Sequence, residues 1–99
     1  MADVTIIREL GPAKGRYVAK VPDFDGEAEL TFALLDDDRV LADHTLTPVP
    51  LRGRGVASAL VERLVADARR EGFKIVPQCP FVVAQFDRQV RRAAAGGQL

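Results

Sequence analysis

Apolar and polar positions alternate in short runs through the first half of the chain, which predicts β-strands. β-branched and aromatic residues cluster in these runs, and glycine, proline or aspartate residues separate them. Four strands are expected, at residues 4–7, 16–21, 29–35 and 39–46. Because the turns between consecutive runs are short, the strands should form an antiparallel meander.

The fourth run divides its side chains between two faces. One face carries Val40, Ala42, His44 and Leu46, and the other carries Leu41, Asp43 and Thr45. Since successive side chains of a strand point to opposite faces, His44 is expected on the inward-looking face with Val40 and Ala42.

The period changes after Pro50, where apolar residues recur every four positions. This pattern predicts an amphipathic helix that begins near residues 54–55 and ends at Gly72. Its apolar stripe consists of Val56, Leu60, Leu64 and Ala68, and its outer face holds Glu62, Arg63, Asp67, Arg69 and Arg70. Residues 73–77 predict a fifth strand, and residues 80–95 predict a second helix. A right-handed crossover should place the fifth strand parallel to the fourth.

These elements predict a compact α+β fold in the order β-β-β-β-α-β-α, with about five strands in a mostly antiparallel sheet. The chain has 99 residues and is 47% apolar, so one small core and a single domain over residues 1–99 are expected, with a frayed end at 93–99. Cys79 is the only cysteine, which excludes a disulfide scaffold. The sequence has no apolar run of membrane length and no signal-peptide pattern. A cytoplasmic protein with no membrane partner is therefore expected.

The formal net charge is zero, but the two halves of the chain differ in sign. Residues 1–47 have ten acidic and five basic side chains, whereas residues 48–99 have nine basic and four acidic ones. An anionic ligand is therefore expected at the C-terminal half. Nucleic acid is not expected as a partner, because the first helix interleaves acids with its bases and has no aromatic stacking platform.

Residues 51–58, Leu-Arg-Gly-Arg-Gly-Val-Ala-Ser, combine two glycines with the predicted start of the first helix. A helix N-terminus has unpaired backbone N–H groups and a partial positive charge, and glycine lets an anion approach the backbone closely. A pyrophosphate suits this chemistry. The simpler interpretation is a turn with exposed arginines, and a glycine pair alone does not decide between the two.

The arrangement Arg52-x-x-Gly55-x-Ala57 after a fourth strand resembles motif A of the GCN5-related N-acetyltransferases. More narrowly, the chain is similar to a small subfamily of about its own length. The matching segments are His44-Thr45, residues 51–55 and 59–61, Ala68-Arg69, Val76-Pro77 and Cys79-Pro80-Phe81.

The resemblance implies an enzyme that binds acetyl-CoA and transfers the acetyl group to an amine of a small molecule or a protein. It also implies that the fourth and fifth strands splay apart around the pantetheine. The implied cofactor-binding residues are Leu46, Thr47, Arg52, Gly53, Arg54, Gly55, Val56, Ala57 and Ser58. No metal is implied, and a monomer or weak homodimer is expected. Larger members insert helices between the first two strands, so the acceptor site of this shorter chain should be unusually open.

Cys79 and His44 are the candidate catalytic residues. Cys79 precedes the predicted second helix, whose N-terminus would lower the pKa of the thiol and favour the thiolate. The resemblance makes Cys79 a candidate acetyl carrier. In the other route, the amine attacks acetyl-CoA directly in a ternary complex, and Cys79 only lines the site. The simpler interpretation is an inert, buried cysteine. His44 is the only histidine, and it either removes a proton from the incoming ammonium or from Cys79, or is structural.

The C-terminal segment departs from the family pattern. The superfamily often uses a tyrosine of the last helix to protonate the leaving thiolate, but the only tyrosine here is Tyr17. The small subfamily continues after the Cys-Pro-Phe segment with a His-Pro-Glu-Tyr run, where this chain has residues 89–92, Gln-Val-Arg-Arg. A catalytically weak acyl-CoA-binding module without turnover is therefore the alternative function.

Overall fold

The computed structural model describes residues 3–95, and of residues 89–95 it describes the backbone alone. Its strands are β1 (Thr5–Leu10), β2 (Lys14–Val21), β3 (Phe24–Leu34), β4 (Arg39–Leu46) and β5 (Lys74–Pro77), and its helices are α1 (Val56–Glu71) and α2 (Pro80–Ala95). A short 3-10 helix, Val49–Leu51, follows β4. Of the segment expected to fray, residues 93–95 belong to α2 and residues 96–99 lie outside the described residues.

One sheet holds the five strands in chain order. β1 to β4 pair antiparallel, and β5 pairs parallel with β4 after the crossover through α1. The predicted α+β order and the parallel fifth strand are thus confirmed. β3 begins at Phe24 rather than at residue 29, because Phe24 already pairs with Val21 and the hairpin turn contains only Pro22 and Asp23.

A β-bulge at Asp43 interrupts the pairing of β3 with β4. Thr31 pairs with His44, but the next residue, Phe32, pairs with Ala42. Asp43 is therefore the extra residue on β4. An inserted residue moves every later side chain of its strand to the opposite face of the sheet.

The bulge brings Thr45 to the inner face of the sheet, which is the face that α1 covers. There Thr45 pairs with the buried Leu30. His44 and Leu46 lie on the outer face instead, and both are exposed. The prediction that these two residues face inward is wrong, because strict alternation holds only in a strand without an inserted residue.

The apolar stripe of α1 packs on the inner face of the sheet. Its buried apolar members are Val56, Leu60, Val61, Leu64 and Val65. Val82 of α2 belongs to the same buried cluster, so both helices contribute to one core on that face. Within residues 3–95, no helix is long and apolar enough to cross a bilayer.

Asp67 is fully buried, although it was expected on the outer face of α1. Tyr17 Oη donates a hydrogen bond to its carboxylate at 2.8 Å, and Arg63 Nε donates at 3.2 Å. Arg70 and Arg8 add ion pairs, the latter at 3.2 Å. A buried carboxylate is tolerated when cations and hydrogen bonds compensate for its lost hydration. Asp67 and these four partners, Tyr17, Arg63, Arg70 and Arg8, form the Asp67 cluster, which links α1 to β1 and β2.

β4 and β5 separate partway along the sheet. Their pairing ends with Ala42 and Pro77, although β4 continues to Leu46. The Ala42 carbonyl accepts the N–H groups of Gln78 at 2.9 Å and Cys79 at 3.1 Å, which ends the paired part. Beyond this point the β5 side of β4 has no strand partner within the described residues, as the predicted splay requires.

Candidate functional site

Residues 52–55, which precede α1, form the glycine loop. It contains two glycines in the left-handed backbone region. Gly53 has a φ of 76° and Gly55 has a φ of 79°, values that strongly favour glycine. Gly55 is the N-cap of α1, and its carbonyl accepts the Ala59 N–H at 3.0 Å. No side chain caps this helix, so the backbone N–H groups of its first turn are left for another acceptor.

A cavity of about 390 Å³ opens at this loop. It is lined by Thr45, Thr47, Leu51, Arg52, Gly53, Gly55, Val56, Ala57, Ser58 and Phe81. The lining includes one base and no acid, and a Cβ added at either glycine would meet nothing within 4 Å. The exposed helix N-terminus, the free space at the glycines and the arginine together fit an anionic group.

The cavity lining contains seven of the nine residues predicted to bind the cofactor, and Arg54 and Leu46 are not among them. The Arg54 guanidinium lies 3.0 Å from a carboxylate oxygen of Asp23 in the β2–β3 turn, and this contact holds the pKa of Asp23 below its usual value. Arg52 Nε donates to the Thr47 carbonyl at 3.1 Å, which links the loop to the end of β4. The two arginines of the loop therefore have different surroundings, and only Arg52 faces the cavity.

Cys79 occupies the position directly before α2. Its carbonyl accepts the Val83 N–H at 2.9 Å, and its side chain is 8% exposed. Burial alone would raise the pKa of the Cys79 thiol. Hydrogen bonds from the Thr45 hydroxyl and from backbone N–H groups, chiefly those of Val82 and Phe81, nevertheless hold that pKa below its usual value. The position before α2 thus stabilises the thiolate of Cys79 more than burial alone would allow.

Thr45 is the residue that sequence reasoning missed. Its Oγ1 lies 3.5 Å from Cys79 Sγ, and its side chain also lines the cavity at the glycine loop. The family resemblance includes the His44-Thr45 pair but gives Thr45 no role, and the alternation of β4 assigns Thr45 to the outer face, which only the bulge reverses. His44, for which proton removal from Cys79 was one candidate role, lies on the opposite face of the sheet from Thr45.

Tyr17 lies away from the cavity and is engaged elsewhere. Its ring is buried beneath α1, its hydroxyl donates to Asp67, and the Arg63 guanidinium lies 5.8 Å from the ring centroid. Burial and the contact with Asp67 raise the pKa of Tyr17 to about 12. The only tyrosine of the chain is therefore part of the Asp67 cluster and does not line the cavity.

Comparison with known protein families gives a match over most of the chain. The model of a family described as GCN5-related N-acetyl-transferase matches residues 16–94. This stretch runs from β2 into α2, and it includes the whole lining of the cavity as well as Cys79. No curated protein matches the chain.

Proposed function

The chain belongs to the GCN5-related N-acetyltransferase family, and from this premise we propose that it binds acetyl-CoA and transfers the acetyl group to an amine. The observation that carries the proposal is the cavity at the glycine loop, which joins an uncapped helix N-terminus to the Thr45–Cys79 contact. Bound acetyl-CoA supplies an activated acyl group as a thioester.

Anion binding is proposed for the loop and the first turn of α1. The backbone N–H groups of residues 56–58 and the Arg52 guanidinium would hold the pyrophosphate. Gly53 and Gly55 support this assignment because they leave the cavity wall free of side chains.

The pantetheine is proposed to lie along the free edge of β4. Within residues 3–95, residues 43–46 have no strand partner on the β5 side, so backbone groups of Leu46 and Thr47 would be available to an extended ligand, apart from the Thr47 carbonyl, which accepts Arg52 Nε. Leu46 would contribute through its backbone, since its side chain is exposed on the outer face.

Two roles of Cys79 follow from its environment. In the first, Cys79 Sγ attacks the acyl carbon, forms a new thioester and displaces the CoA thiol, after which the amine attacks that thioester and frees Cys79. In the second, the amine attacks the bound thioester directly and Cys79 only borders the reacting group. The lowered pKa of Cys79 supports the first role.

His44 is proposed as a base for the acceptor rather than for Cys79. The outer face, which His44 shares with Thr31, is the face opposite Thr45 and Cys79. An ammonium must lose a proton before it attacks a thioester, and an acceptor that approaches from the outer face would meet His44 first. We expect His44→Ala to lower kcat at neutral pH while leaving CoA affinity unchanged; an unchanged kcat would contradict the role.

A binding module without turnover is the second candidate function. It is favoured by the 8% exposure of Cys79, which does not itself line the cavity, and by the sequestration of Tyr17 in the Asp67 cluster. Such a module would retain affinity for acyl-CoA and use it to regulate a partner.

The test combines calorimetric titration with mass spectrometry. Titrating CoA and acetyl-CoA measures binding, and incubation with acetyl-CoA followed by mass analysis of wild type and Cys79→Ala locates any acetyl adduct. An adduct on Cys79 supports the carrier route, acetylation of added amines without an adduct supports direct transfer, and binding without either supports the module. Absence of CoA binding would overturn all three.

A matched pair of variants at Gly55 tests the pyrophosphate position. Asn and Asp tolerate a positive φ better than other non-glycine residues, so Gly55→Asn and Gly55→Asp carry similar strain and differ in charge. We expect the Asp variant to bind CoA at least about tenfold more weakly than the Asn variant, because its carboxylate repels the phosphates. Equal affinities would contradict the assignment.

A further inference from the structure

A second cavity lies between the C-terminal half of α1, the start of β5 and α2. Its volume of about 410 Å³ falls within the range of small-molecule sites, roughly 300–1,000 Å³. The apolar part of its lining consists of Val65, Ala68, Phe73, Ile75 and Phe86. It shares no lining residue with the cavity at the glycine loop.

Among the described residues, the lining also includes two cationic side chains, Arg69 and Lys74, and no acid. Within the described residues, neither side chain forms an ion pair or a hydrogen bond. Most other bases of the described chain pair with carboxylates, namely Arg8, Arg16, Lys20, Arg39, Arg54, Arg63 and Arg70. Two bases without acidic partners therefore meet at one apolar cavity.

We propose that this cavity is a second ligand site, which takes a small amphipathic carboxylate. The Arg69 guanidinium presents a fork of donors that matches a carboxylate, and the Lys74 ammonium adds a second positive charge. An alkyl body of the ligand buries its surface against Phe73 and Phe86. The site is separate from that of the proposed acyl transfer, because its lining shares no residue with the cavity at the glycine loop and does not include Cys79.

Calorimetric titration of the full-length chain with sodium octanoate tests the proposal. We expect saturable binding of one octanoate, whereas acetate, which lacks the apolar body, and octylamine, which has the opposite charge, bind at least tenfold more weakly. The double variant Arg69→Gln/Lys74→Gln should lose at least tenfold in octanoate affinity. Arg88→Gln is the matched control, because it removes a charge from an exposed α2 residue that does not line the cavity.

A cavity-filling variant separates the apolar body from the charges. Ala68→Leu should abolish octanoate binding with both cations intact, and thermal unfolding of each variant verifies that it is folded. The proposal is overturned if the wild type does not bind octanoate saturably, if octylamine binds as well as octanoate, or if the double variant keeps its affinity. A dimer in sedimentation experiments that excludes octanoate would also overturn it, since a second copy would then cover the cavity.

Discussion

At the scale of single residues, the chemistry of the candidate site depends on a contact between two neighbours that are distant in sequence. Cys79 precedes α2, and Thr45 lies near the end of β4, yet their sulfur and oxygen atoms are 3.5 Å apart. A hydroxyl donor and a helix N-terminus both stabilise a thiolate. The reactivity of Cys79 should therefore depend on Thr45 as well as on α2.

Thr45→Val tests this dependence. The variant removes the hydroxyl with little change in volume, so we expect the pKa of Cys79 to rise. The measurement is the rate of alkylation by iodoacetamide as a function of pH, whose midpoint should move to higher pH. Thr47→Val is the control, because Thr47 lines the same cavity and has no hydrogen bond to the sulfur. Equal midpoints for wild type and Thr45→Val would contradict the prediction.

Asp67→Asn tests the buried carboxylate. Burial alone would raise the pKa of Asp67, but hydrogen bonds from Tyr17, Arg70 and Arg63 hold it below its usual value. We expect the variant to lose about 2 to 3 kcal/mol of unfolding free energy at pH 7, because three cations lose their buried partner. Denaturant unfolding measures this loss, with Glu62→Gln, an exposed acid on the same helix, as the control.

The pH dependence of the same variant has a definite sign. Because the pKa of Asp67 is lower in the folded state than the unfolded value of about 3.9, its stabilising contribution is complete above that value. The contribution disappears as the pH falls through the folded-state pKa. Wild-type stability should hence decline more steeply below about pH 4 than that of Asp67→Asn. Parallel pH profiles would show that Asp67 is not the titrating group.

At the scale of elements, the β2–β3 hairpin reaches the loop before α1. Asp23 in the hairpin turn pairs with Arg54 and neutralises a positive charge beside the cavity. The pair is exposed, and exposed pairs contribute little to stability because water and salt screen them. Its larger effect should be on the electrostatic potential felt by an anionic ligand.

Asp23→Asn is consequently expected to tighten CoA binding a few-fold at low ionic strength. The variant leaves the Arg54 charge uncompensated near the glycine loop, and added salt should cancel the gain by screening. Titrations of CoA at two salt concentrations measure the effect. Asp25→Asn, which removes a nearby exposed acid without an ion pair to the loop, should change the affinity less. Weaker CoA binding by Asp23→Asn would contradict the prediction. It would mean that the ion pair affects CoA affinity more by ordering the loop than by neutralising the Arg54 charge.

β4 illustrates what local patterns predict and what they miss. Its bounds, residues 39–46, agree with the alternation of the sequence, because strand propensity and turn residues are local properties. The faces of its second half do not agree, because the bulge at Asp43 arises from pairing with β3. A register shift of one residue exchanges His44 and Thr45 between faces, and with them the residue that contacts Cys79.

At the scale of the whole molecule, the acidic and basic halves of the chain are joined by ion pairs. Arg8 of the first half pairs with Asp67 and Glu71 of α1, and Asp23 pairs with Arg54. The basic excess of the C-terminal half is left partly uncompensated at Arg52, Arg69 and Lys74, which line two separate cavities. Of these pairs, only Asp23–Arg54 joins an acid of the first half to a base of the second, so the ion pairs link the two halves and still leave bases available for anions.

CoA should stabilise the whole chain against heat. A ligand that binds only the folded state at 100 times its Kd adds about 2.7 kcal/mol, which for a chain of this size raises Tm by on the order of 10 °C. Differential scanning fluorimetry across a CoA series measures the rise, which Gly55→Asn should largely retain and Gly55→Asp should lose. An unchanged Tm for the wild type at saturating CoA would contradict the proposed cofactor.

The sequence by itself determined the succession of strands and helices, the parallel fifth strand and the family, because periodicity, turn residues and the glycine motif are local signals. Only the tertiary structure decided that Thr45 rather than His44 contacts Cys79, that Asp67 is buried among three arginines, and that Arg54 points to Asp23. Each of these depends on the register between strands or on the packing of α1 on the sheet. Those are relations between distant segments, which no local pattern of side chains records.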